Sequence, residues 1–190
     1  IIHGTTLATN ALIERKGAKT ALITTKGFRD VIEMRTESRF EQYDLNLQLP
    51  LPLISRDHRY VIEERISANG DILVPINETA LTELSKTLQN IGYASIAVGL
   101  IHSYANGAHE RHIKNTLSKQ LPKTMFSLSS EVSPQMREYE RFNTVCANAY
   151  VKPMMKSYLI RLQTLLIKKK ILCSIFLMHS GGGIISLKNA

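Results

Sequence analysis

The sequence predicts an α/β fold built on a largely parallel or mixed sheet. Three observations point there: β-rich runs alternate with stretches of helical period, Gly and Pro residues punctuate the transitions, and one Asn-Gly pair marks a hairpin. With 190 residues, of which 44% are hydrophobic and 21% charged, the chain is long enough to bury roughly 70% of its unfolded surface without a disulfide or metal staple.

Taken in order, Thr5 to Lys16 places Leu7, Ala8, Ala11 and Leu12 on one helical face, with Gly17 as the expected stop. Thr20 to Thr25 is a compact strand, and Phe28 to Met34 a short helix after Lys26-Gly27. Met34 to Pro52 has no sustained period and reads as an ordered loop. Arg59 to Ile66 and Asp71 to Ile76 form a hairpin, for which Asn69-Gly70 is expected to supply two positive φ angles. Asn77 caps a helix carrying Leu81, Leu84, Leu88 and Ile91 and ending at Gly92.

Tyr93 to Ser103 is a buried strand, Ala108 to Leu121 a helix stopped by Pro122, and Thr124 to Ser129 another strand. Arg137 to Tyr150 and Met154 to Lys170 are helical, bent or separated at Pro153 because proline removes a hydrogen bond and crowds the preceding turn. Ile171 to His179 is the last strand, running into a Ser-Gly-Gly-Gly turn and a short helical SLKNA. A domain boundary is expected around Glu131 to Pro134.

Charge and cysteine content narrow the function. The formal charge is +8, but the basic residues are scattered, Trp is absent, and no aromatic ladder accompanies Lys168-Lys169-Lys170; this argues against a nucleic-acid binder. That run reads as the solvated end of a helix. Cys146 and Cys173 have neither metal nor redox spacing, which fits a reducing cytoplasm. The longest nearly apolar stretch, Ala94 to Ile101, is too short to cross a membrane. The opening residues do not form a secretory leader, and starting at Ile1-Ile2 without Met suggests a piece of something longer.

Several places carry chemistry. Ser180, Gly181, Gly182 and Gly183 follow a strand as a phosphate-cradling turn would, though without the lysine and hydroxyl of a P-loop. His3, Gly4, Thr5, Thr6 and Asn10 stand where a strand end enters a helix, and more polar groups gather there than a cap requires. His102, His109 and His112 cluster without the remaining ligands of a metal shell. Arg137 and Arg141 share a helical face with Glu138 on another, a pattern that favours a salt-bridged surface over an anion-facing pair.

Together these segments resemble one family. HGTTLATNA at 3–11, KTALITTKGFRDVIEM at 19–34, ERI and ANG in the hairpin, GLIHSYANGAHER at 99–111, REYER at 137–141, NAYVKP at 148–153 and MHSGGG at 178–183 stand in the order found in the hydantoinase A and 5-oxoprolinase family. The resemblance implies an actin-like ATPase fold of ribonuclease H-like type, a mixed sheet with flanking helices, incomplete at the N-terminus. It implies residues 1–133 as part of the N-terminal domain and 134–190 as the start of the hydantoinase A domain. It also implies ATP-dependent hydrolysis of a cyclic amide (hydantoin, N-methylhydantoin or 5-oxoproline) with ATP and Mg²⁺ as cofactors and a hydantoinase B-type companion subunit. Family members phosphorylate the carbonyl oxygen, making it a good leaving group. Alternatives are a non-catalytic docking module and a subunit of an ATP-dependent ketone carboxylase.

By the same resemblance His3, Gly4, Thr5, Thr6 and Asn10 face the substrate or nucleotide cleft, Arg141 and Asn148 support it, and Ser180, Gly181 and Gly182 line it. The sequence departs from the family where an Asp-x-Gly-Gly-Thr loop is expected. Its aspartates are Asp30, Asp44, Asp57 and Asp71, and none precedes paired glycines. The isolated chain is therefore expected to hold no tightly bound cofactor and to be inactive alone. Met34 to Tyr43 departs as well, leaving Arg35 and Arg39 as candidates for a substrate carboxylate.

Overall fold

The structure, a computed structural model, describes residues 1–36, 43, 44, 46, 49–178 and 182–186. Two compact units emerge: Ile1–Gly17 with Val151–Ala190, and Ala18–Tyr150. The chain opens with β1 (Ile2–His3) and α1 (Leu7–Ile13). α1 ends before the expected Gly17. Lys16 N–H reaches the Ala11 carbonyl and Arg15 N–H the Leu12 carbonyl, with Arg15 at φ +55°. That is a Schellman ending with arginine, not glycine, in the left-handed position.

The larger unit is a doubly wound sheet. Its strands are β2 (Thr20–Thr25), β3 (Arg59–Ile62), β6 (Ser95–Gly99) and β7 (Met125–Leu128), paired in the order β3-β2-β6-β7 and parallel throughout. Between β2 and β3 lie α2 (Val31–Met34) and a 3-10 turn at Arg56–His58. The expected long hairpin divides: its first half, β3, joins the parallel sheet, and only β4 (Arg65–Ile66) pairs antiparallel with β5 (Ile72–Val74). The turn is closed by Gly70 N–H to the Ser67 carbonyl, and of the expected pair Gly70 alone takes a positive φ, +93°.

α3 (Glu78–Ile91) is capped as its sequence predicts, Asn77 Oδ1 accepting from Thr79 and Ala80 N–H and Gly92 closing it at φ +71°. α4 (Ala108–Gln120) and the one-turn α5 (Ser129–Val132), not anticipated from sequence, follow β6 and β7. One face of the sheet packs Ile23, Ile96, Val98 and Leu128 with Leu81, Leu88, Ile113 and Leu117 of α3 and α4. The other packs Leu22 and Ala97 with Ile32, Ile54, Phe142, Val145 and Ala149. The alternation of strand side chains between two apolar layers accounts for their uninterrupted burial.

α6 runs unbroken from Glu138 to Lys168, with Pro153 inside it. The two stretches are therefore not separated at Pro153: a single lost backbone bond, about 3 kcal/mol, is outweighed by the helix on either side. α6 ends in a second Schellman geometry, with Lys170 at φ +62° and Ile171 N–H on the Leu166 carbonyl. β8 (Phe176–Met178) pairs parallel with β1 and antiparallel with β9 (Ile184–Ser186). The glycine-bearing turn thus joins two strands of a hairpin, β8 and β9; of the short helix expected at SLKNA, residues 186–190, only Ser186 is described, and it ends β9. Residues 187–190 lie outside the described residues. No helix among the described residues is long and apolar enough to cross a membrane.

Candidate functional site

In the unit formed by Ile1–Gly17 and Val151–Ala190, parallel pairing with β8 sets His3 opposite Leu177. His3 Nε2 lies 2.6 Å from Tyr158 Oη, and the two rings stack at 5.7 Å and 28°. Gly4, Thr5, Thr6 and Asn10 are exposed. Thr5 Oγ1 accepts the Leu7 N–H at 3.2 Å, while Thr6 occupies the cap position without making a side-chain cap bond. One threonine therefore serves the helix, and its neighbour Thr6 is exposed. Gly182 sits at φ +83° with open space around it, so backbone sign and not crowding demands glycine. Arg39, Ser180 and Gly181 lie outside the described residues.

In unit Ala18–Tyr150 the carboxyl ends of the parallel strands gather buried polar groups. Doubly wound proteins take ligands in the crevice at this end, where neighbouring strands diverge in connection; here, between β2 and β6, the crevice is filled by the chain itself. Thr25 hydroxyl donates to the buried Glu64 carboxylate and accepts from Ile101 N–H at 3.0 Å. His109 Nδ1 lies 2.5 Å from the other Glu64 oxygen.

Beside it, Glu110 has no exposed surface. Its Oε1 accepts from Leu100 N–H at 2.9 Å and Ser129 Oγ at 2.6 Å, and its Oε2 from Ser130 N–H at 2.8 Å and Ser130 Oγ at 2.7 Å.

Arg141 is equally buried and corrects the surface-pair expectation. It donates to Ser129 Oγ at 3.2 Å, Gln135 O at 2.9 Å and Leu100 O at 2.8 Å, with Glu138 Oε1 at 3.4 Å. Its guanidinium also lies over the Tyr104 and Phe142 rings. Arg137 is outside the helix, at φ +78°, so it shares no helical face with Arg141. Asn148 Oδ1 accepts from Ser127 Oγ at 2.7 Å. Both residues act as internal braces of the sheet's ends.

The histidines likewise resolve into pairs. His109 binds Glu64, His112 Nε2 lies 2.6 Å from Glu78, and His102 meets the Tyr104 ring edge-on. Among the described residues no group of three or more His, Cys, Asp or Glu is placed to hold a metal ion. A chain of His58, Tyr93 and Tyr60 hydroxyl and ring contacts lies at the amino ends of the strands, where burial, then the Tyr60 bond, raises the Tyr93 pKa.

Sequence reasoning missed Tyr158, Glu64 and Glu110. Glu110 had a signal: it stands three and seven residues before Ile113 and Leu117, on the apolar stripe of its helix. Tyr158 meets a partner 155 residues away, and no local pattern announces it.

The fold is shared with larger proteins of known structure. The ATP-dependent caprolactamase of Pseudomonas jessenii superposes with a TM-score of 0.89 at 31% identity, over 96% of this chain and 27% of that one. A nucleotide-free acetone carboxylase superposes at 0.87 with 23% identity, over 98% of this chain and 28% of that one, a likeness of fold.

The chain belongs to the hydantoinase/oxoprolinase family. Residues 1–121 match the profile of the hydantoinase/oxoprolinase N-terminal region, and residues 141–190 that of hydantoinase/oxoprolinase. An uncharacterised protein of Methanocaldococcus jannaschii is 38% identical over all of this chain and 28% of its own length. The 5-oxoprolinase of Saccharomyces cerevisiae is 32% identical over 82% of this chain and 14% of its own length. The caprolactamase subunit alpha of P. jessenii is 32% identical over 86% of this chain and 24% of its own. The chain thus spans between about a seventh and somewhat over a quarter of these relatives.

Proposed function

We propose that this chain is part of an ATP-dependent enzyme that opens a cyclic amide such as a hydantoin or 5-oxoproline. The supporting observation is the pair of family matches covering residues 1–121 and 141–190. An amide carbonyl in a small ring resists water because resonance stabilises it, and ATP supplies the phosphoryl group that makes its oxygen a leaving group. In this reading His3, Gly4, Thr5, Thr6 and Asn10 line the cleft. His3 is held in one orientation by Tyr158, and Thr6 offers a free hydroxyl. Arg141 and Asn148 act at a distance, by fixing the strand ends of their own unit.

Among the described residues no group of three or more His, Cys, Asp or Glu stands together, and in this reading the Mg²⁺ that accompanies the phosphates is held by the remainder of the whole protein. A companion subunit of the hydantoinase B type completes the enzyme, a reading supported by the designation of the Pseudomonas relative as a subunit alpha.

The test is phosphate release by the full-length protein with its companion subunit. We expect stimulation by 5-oxoproline, hydantoin or a lactam, and a fall of about 100-fold in kcat/KM for His3→Ala. The 190-residue chain alone should turn over none of them. Stimulation by ketones or sugars only, or turnover by the isolated chain at the intact protein's rate, would overturn the proposal.

A further inference from the structure

We infer that Tyr158 is a positioning residue that fixes the tautomer of His3, so that His3 offers Nδ1–H as a hydrogen-bond donor to a ligand oxygen and does not act as a base. The inference rests on the proposed function for the place of His3 in the cleft; the tautomer itself rests on geometry.

His3 Nε2 and Tyr158 Oη stand 2.6 Å apart, with the two rings stacked at 28°. A proton lies between them, and one of the two atoms gives it. A phenol, which titrates at about 10 when free, is a far stronger acid than the N–H of a neutral imidazole, and the unprotonated ring nitrogen is the better acceptor. Among the described residues the Tyr158 hydroxyl has no other acceptor for its proton, and His3 Nδ1 has no hydrogen-bond partner. The hydroxyl therefore donates to Nε2. A neutral imidazole carries a single N–H, so the ring proton sits on Nδ1.

Other histidines differ in this respect. His109 Nδ1 and His112 Nε2 face the carboxylates of Glu64 and Glu78, which accept, so those rings give an N–H to their partners. Tyr93 Oη lies 2.8 Å from His58 Nδ1 and 2.9 Å from Tyr60 Oη, and its proton has a choice of two acceptors. Tyr158 has one. The pair is also held from both sides: His3 lies opposite Leu177 in the β1–β8 pairing, and Leu159, next to Tyr158 on α6, is buried. His3 remains half-buried, so its ring is open to a ligand.

The consequence is chemical. Nδ1–H can donate to a phosphoryl or carbonyl oxygen, where negative charge grows during transfer and attack. It cannot take a proton from the attacking water, because that nitrogen already carries one. No proton changes owner at His3, and the base that activates water lies elsewhere.

The test reads the ring directly. Solid-state ¹⁵N spectra of the full-length protein labelled at histidine, recorded at about pH 8, where a free imidazole is neutral, should show His3 protonated at Nδ1 and bare at Nε2. The signals are assigned by their loss in His3→Asn. Tyr158→Phe keeps the stacked ring and removes only the hydroxyl, and the Nε2–H form should then appear. ADP with Mg²⁺ and, separately, the cyclic amide are added, and Nδ1 should move with whichever supplies the oxygen. In turnover with the companion subunit, Tyr158→Phe should lower kcat/KM by about tenfold. His3→Asn, whose amide N–H stands near the place of Nδ1, should retain at least about tenfold more activity than His3→Gln, whose amide reaches the place of Nε2.

A wild-type ring protonated at Nε2 overturns the inference. So does a Tyr158→Phe spectrum identical to wild type, an Nδ1 that neither ligand moves, or His3→Gln as active as His3→Asn. If Nδ1 is protonated and moves with ADP while no cyclic amide is turned over, the proposed function fails and the inference stands; turnover with Nε2 protonated has the reverse meaning.

Discussion

Glu110 and Arg141 have no exposed surface, and the hydroxyl of Ser129 bridges them, donating to the carboxylate and accepting from the guanidinium. Burying two charges is expensive, and the cost is recovered only when each lone pair and N–H finds a partner. Glu110 meets that condition with four donors and Arg141 with three backbone or hydroxyl acceptors besides Glu138. Glu110→Ala should therefore destabilise the protein by about 3–5 kcal/mol, far beyond a surface pair, as a shift in urea midpoint would show; loss under 1 kcal/mol would mean that water replaces the carboxylate.

The two cysteines give a second residue-scale outcome. Burial pushes the Cys146 thiol up to about 12, partly countered by Arg59, while Cys173 is exposed. A thiol whose folded pKa is raised contributes stability that is present below the free-thiol value near 8.5 and is lost as pH climbs toward 12. At pH 8 a thiol reagent should titrate one cysteine in the native protein and two after unfolding.

Elements here end where backbone groups find partners more than where sequence patterns stop. β6 gives up at Gly99 although YASIAVGLIHS stays apolar, because the next two N–H groups go to Glu110 and to Thr25. Gly99 itself is dictated by packing: a Cβ there would come within 2.7 Å of the Phe142 ring. The caps permit predictions of opposite sign. Asn77→Ala removes the oxygen that accepts two N–H groups of α3 and should cost about 1 kcal/mol. Lys170→Gly relieves a left-handed lysine at the end of α6 and should add about 0.5–1 kcal/mol, the strain released less the extra entropy of glycine. Thermal unfolding of the two variants measures both.

At the scale of the molecule, burial differs between the two units. Ala18–Tyr150 has an apolar layer on each face of its sheet, from Ile23 and Ile96 on one side to Leu22 and Ala97 on the other. In Ile1–Gly17 with Val151–Ala190, the buried apolar residues among those described are Ala11, Leu159 and Leu177. Hydrogen exchange should accordingly protect β2 and β6 near the limit of global unfolding and release β8 and β9 orders of magnitude faster. Equal protection in both would show that the whole chain opens as a single cooperative body.

The sequence by itself determined the α/β class, the strands at Thr20–Thr25 and Met125–Leu128, the Asn77 cap, the Gly92 stop and the family, because these depend on local period, caps and contiguous motifs. Tertiary structure alone decided that the Arg59–Ile66 run divides between a parallel sheet and a short ribbon, that the glycine turn joins two strands, and that Arg141 lies inside. Those outcomes depend on which distant groups satisfy buried charges and backbone N–H bonds. A spacing rule describes neighbours along one element and carries no record of a partner 41 residues away, as Leu100 is from Arg141.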